Sequence, residues 1–65
     1  MTAQVSETRA IRERIDRLDE AINRARDMAQ GLKGGAAKQE IDRANELTAE
    51  RVKLVRRLER LEAQE

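Results

Sequence analysis

Sixty-five residues bound the chain to one small domain, residues 1–65, with little apolar surface to bury. Charged side chains make up 42% of it yet cancel to a net +1, which reads as solvated helix faces and not as self-repelling disorder. Histidine, cysteine and aromatic residues are absent. Thiol nucleophiles, disulfides, imidazole acid–base catalysis, thiolate–imidazole zinc sites and aromatic stacking on bases are thereby excluded.

The first element is predicted over about residues 3–30. Thr2 or Ser6 could cap its orphan amides, and Glu7 suits the positive end of the helix dipole. Ile11, Ile15, Leu18, Ile22, Ala25, Ala29 and Leu32 recur at alternating steps of four and three, an unbroken heptad seam. Arg9–Glu13, Arg12–Asp16, Glu13–Arg17 and Glu20–Arg24 lie four apart, each pair worth about 0.2–0.5 kcal/mol. No proline interrupts either half of the chain, and good helix formers dominate. Ile11 to Ile22 resembles the first helix of the small all-helical chorismate mutases in its amphipathic pattern and one arginine. Such enzymes need several converging cationic or amide groups, which the pattern here does not supply. The paired-helix outline also resembles the coiled-coil arm of transcript-cleavage factors, whose tips are acidic where this one offers Gly31, Lys33, Gly34 and Gly35. Neither likeness carries a family assignment.

A glycine-rich turn is expected at residues 31–35, with Gly31 in the left-handed conformation that closes a helix and Leu32 folding back on the last turn. The lysines and glycines of residues 31–38 lack the GxxxxGK[ST] order of a phosphate-cradling loop and do not follow a strand. A reversal between two helices is the better reading.

The second helix is predicted over about residues 36–63, with Ala37, Ile41, Ala44, Thr48, Val55 and Leu58 continuing the rhythm. Folding the chain at Lys33 sets Ile11 on Val55, Leu18 on Thr48, Ile22 on Ala44, Ala25 on Ile41, Ala29 on Ala37 and Val5 on Leu61. Large residues then oppose small ones, as an interdigitated core requires. The expected fold class is all-α, an antiparallel two-helix coiled-coil hairpin. Beyond that seam, Leu47, Leu54 and Leu61 form a second row at intervals of seven, flanked by Leu58. A hairpin needs one seam per helix, so this row is expected to meet a partner, the alternative being that it thickens the intramolecular contact. Arg51, at a seam position, either selects the register or, more commonly, packs its stem and sends its guanidinium to water. Residues 40–50 are mainly acidic and 51–60 mainly basic. Two antiparallel copies would therefore form a four-helix bundle with complementary charges.

The expected function is thus non-enzymatic: a protein–protein interaction or assembly module, a small adaptor, regulatory or phage structural subunit. Its partner or oligomer interface would comprise Leu47, Leu54, Leu58, Leu61 and Arg51, and its partner would be a second copy or a larger protein complex. The alternative is a small DNA-binding or DNA-organising protein touching phosphates through Arg51, Lys53, Arg56, Arg57 and Arg60. No catalytic, cofactor-binding or metal residues are expected, and no small-molecule substrate. The first residues lack the basic start and apolar run of a signal peptide, and no segment has the roughly 18 apolar residues of a membrane span. A cytoplasmic protein is expected. The excess of arginine over lysine, with frequent alanine, suggests a bacterial or phage source.

Overall fold

The computed structural model describes residues 2–64, with side chains from Ser6 onward. Two helices, α1 (Thr2–Gly31) and α2 (Gly34–Ala63), run antiparallel and pack along their length as a hairpin. The rod measures 49 × 14 × 11 Å, as two thirty-residue helices side by side require at about 1.5 Å per residue. Thr2 as a cap and Val5 opposite Leu61 concern side chains outside those described. Ser6 and Glu7 lie within α1 and so do not begin it.

The connection is only Leu32 and Lys33. The amide of Leu32 donates to the carbonyl of Ala29 at 3.3 Å, closing α1. Lys33 is extended, at φ −131° and ψ 156°, and provides no side-chain cap for α2. The left-handed residue is Gly34, at φ 64°, and not the expected Gly31. The correction has a simple cause. Gly31 is taken into the end of α1, so the reversal is made one extended residue and one left-handed residue later, where only glycine avoids a Cβ penalty.

α1 lays down the core as its periodicity implies. Ile11, Ile15, Leu18, Ile22 and Ala25 are all buried. The seam also reaches one step further back than the isoleucines suggest, to buried Thr8, three residues before Ile11. On α2 only Ala44 is buried, at 2% exposure; it clusters with Ile22 and Ala25, and Leu47 packs against the group. The expected meeting of Ile22 and Ala44 is present. Ile41, expected to cover Ala25, is 49% exposed. α2 is rotated about its own axis so that Leu47 occupies the side where Ile41 would have reached. Thr48 remains partly buried by donating its hydroxyl to the Ala44 carbonyl at 2.8 Å, which satisfies the group within its own helix.

Among the described residues four ion pairs join the helices, two along each flank of the seam. Glu7–Arg57 and Arg14–Glu50 lie on one side, and Arg12–Glu62 and Asp19–Arg51 on the other. The α1 members of each flank are seven residues apart, which is the spacing that keeps them in line beside a heptad seam. Arg14 Nη2 to Glu50 Oε1 is 3.1 Å, and Arg51 Nε to Asp19 Oδ1 is 2.5 Å. All eight side chains are substantially exposed, so each pair contributes about 0–1 kcal/mol and serves more to set rotation than to hold the fold.

Candidate interaction surface

The helix period places the residues singled out from the sequence around three sides of α2. Leu47, Leu54, Leu58 and Leu61 are all half-buried. They are not a row wholly outside the hairpin seam. Leu47 packs on the Ile22–Ala25–Ala44 cluster, so part of this apolar surface faces α1. Together with Ala44 and Arg51 they form a step of three and four of their own: 44, 47, 51, 54, 58, 61. Thr48 and Val55, one residue beyond Leu47 and Leu54, are half-buried too. The apolar arc of α2 is thus wider than the narrow stripe of α1 that it covers.

Arg51 sits in that arc and is half-buried, with its Nε bonded to Asp19. Its stem packs while its charged end is anchored on α1 instead of being left to water alone. Of the basic run, Arg57 is likewise taken by Glu7. Lys53, Arg56 and Arg60 are exposed and make no ion pair among the described residues. They stand at steps of three and four on the side of α2 turned away from α1. Asp42 and Glu46 occupy the same outward side one turn and more toward the hairpin tip, also without an ion pair among the described residues.

Among the described residues of the helices, three exposed large apolar side chains are not picked out as surface features by the sequence. Ile41 and Val52 are 49% and 41% exposed, and Met28 on α1 is 51% exposed. The sequence signal for Ile41 and Val52 was available, since eleven residues is about three helical turns and sets them on one line. The seam assignment hid it by using Ile41 as core. Shallow clefts open on either side of the seam beside the Ile22–Ala25–Ala44 cluster. One lies between Ala21, Met28, Glu40 and Arg43, another between Asp19, Arg26, Thr48 and Arg51. Both are open to solvent and lined by charged groups, unlike the enclosed apolar pockets that bury small ligands. Among the described residues no group of three or more acidic side chains could hold a metal ion, and no helix is long and apolar enough to cross a membrane.

Comparison with protein-family models, with curated proteins and with solved structures finds no match to the chain.

Proposed function

We propose that the chain is a non-enzymatic assembly module whose second helix binds another copy of the hairpin, giving a four-helix bundle. One observation carries this reading. α1 buries its stripe from Ile11 to Ala25 inside the hairpin, whereas α2 keeps Ile41 and Val52 in solvent and Leu47, Leu54, Leu58 and Leu61 only half covered. A hairpin without aromatic residues has a core that barely exceeds its chain entropy, and covering α2 further would add the missing burial. The half-buried leucines and Arg51 then hold α2 against α1, which leaves the exposed apolar residues of α2 for the second copy.

The charge pattern supports self-association over nucleic-acid binding. Two of the five basic residues in 51–60 are already neutralised by carboxylates of α1. Lys53, Arg56 and Arg60 form a short stripe, with acidic Asp42 and Glu46 on the same side, which suits a partner carrying both signs better than a uniform row of phosphates. Sedimentation equilibrium from about one to a hundred micromolar tests the reading by mass action. The expected outcome is a monomer–dimer equilibrium with the dimer dominant at tens of micromolar. A monomer throughout that range removes the self-assembly function.

A further inference from the structure

We propose that the second copy docks antiparallel along the flank of α2 that carries Ile41 and Val52, with the two-fold axis beside Ala49. The proposal rests on the assembly reading and gives it a face and a register. α2 has two flanks, and their charges decide between them. Arg43, Glu50 and Arg57 mark the first, each one residue before a seam position, and Glu50 and Arg57 already bond to α1. An antiparallel two-fold near residue 50 on that side would set Arg43 against Arg57 of the second copy and Glu50 against itself. Like charges so opposed disfavour the contact.

The other flank behaves in the opposite way. Ile41 and Val52 are its exposed apolar residues, with Asn45 and Ala49 on the turns between them. Lys38 and Glu59 lie on one heptad line with Asn45 and Val52, and Asp42 and Arg56 on another with Ala49; all four charges are exposed and none is in an ion pair among the described residues. Reversal about Ala49 brings Asp42 onto Arg56 of the second copy and Lys38 onto its Glu59, and symmetry makes each pair twice. The small side chain of Ala49 lets the two helices approach at the axis, and on either side of it Val52 falls on Asn45 of the second copy. Ile41 lies over the aliphatic stems of Arg56 and Glu59. A parallel arrangement would instead place every one of these charges on its own copy. The complementarity therefore selects an antiparallel pair on this flank.

Sedimentation equilibrium on the full chain tests the register with four proteins: wild type, Val52→Lys, Arg56→Asp, and Arg56→Asp combined with Asp42→Arg. All substitutions fall on exposed positions, and circular dichroism reports whether each protein keeps its helices. Both single variants should raise the dimer dissociation constant about tenfold or more, and the charge swap should restore it to within about threefold of wild type. Should Arg56→Asp lose its helices, Lys38→Glu with rescue by Glu59→Lys makes the same comparison. A wild-type dimer that Val52→Lys and Arg56→Asp leave unchanged overturns this face while assembly stands. Weakening without rescue overturns the register. A wild-type monomer defeats the assembly reading, and this proposal with it.

Discussion

The two helices have equal length and similar composition, yet they use their apolar residues differently. On α1, five aliphatic residues from Ile11 to Ala25 lie 3–8% exposed, so that stretch of the stripe is spent on the hairpin. Only toward the turn does the stripe open, with Ala29 half-buried and Leu32 exposed. On α2, Ala44 alone is that deep, and its leucines and valines are half-covered or open. Width explains the contrast. A stripe one residue wide can be enclosed by a single neighbouring helix, whereas an arc spanning both Leu47–Leu54–Leu61 and Thr48–Val55 overlaps its neighbour on each side. The helix with more apolar surface is therefore the one that remains wet, and burial depth does not follow hydrophobic content. The ion pairs at both margins set how far that overlap extends.

This contrast can be broken by truncation. Leu18→Ala, at 3% exposure, should cost about 2–5 kcal/mol, comparable with the roughly 3–5 kcal/mol that so small a core supplies. Urea or thermal melts followed by circular dichroism, at fixed protein concentration, should show a largely unfolded protein at 25 °C. Leu58→Ala removes the same atoms from a half-covered site and should cost about half as much. Equal losses at the two sites would mean that α2 is as deeply covered in solution as α1, and the difference between the helices would disappear.

Overfilling sharpens it. Ala44 is the most enclosed residue of the described core and faces Ile22 and Ala25 where the helices come close. Ala44→Leu should force them apart and cost about 1–3 kcal/mol in the same melts. An unchanged midpoint would show that the gap between α1 and α2 yields freely at this level.

The smallest effects belong to the turn. A Cβ at Gly31 or at Gly34 would meet nothing within 4 Å, so sterics from neighbours do not distinguish them. Backbone conformation does. Gly34→Ala forces a side chain onto φ 64° and should cost about 1 kcal/mol. Gly31→Ala, inside the end of α1, should instead gain about 0.4–1 kcal/mol by restricting the unfolded chain. Opposite signs for one substitution three residues apart are the expected result; matching signs would place the reversal elsewhere.

How much of this was legible in the residues varied along the chain. Two helices, their antiparallel return and the stripe Ile11–Ala25 follow from periodicity, helix-forming composition and a glycine break, because those are local properties of a chain. The Leu32–Lys33 connection was narrower than the glycine cluster implied, since Gly31 can still complete a helical turn and Gly34 alone must go left-handed. The surface was harder to read. On α2 Ile41, Thr48 and Val55 and, one step apart, Leu47, Leu54 and Leu61 each recur every seven residues, so spacing alone permits two rotations of the helix. Packing of Leu47 onto Ile22, Ala25 and Ala44, with Arg51 reaching Asp19, selects one of them and leaves Ile41 outside. Residue spacing and helix-forming composition suffice to say which segments are helical and that one helix carries surplus apolar surface. Where that surplus points emerges only on packing, because rotation about a helix axis is set by contacts with a neighbour and by nothing within the helix.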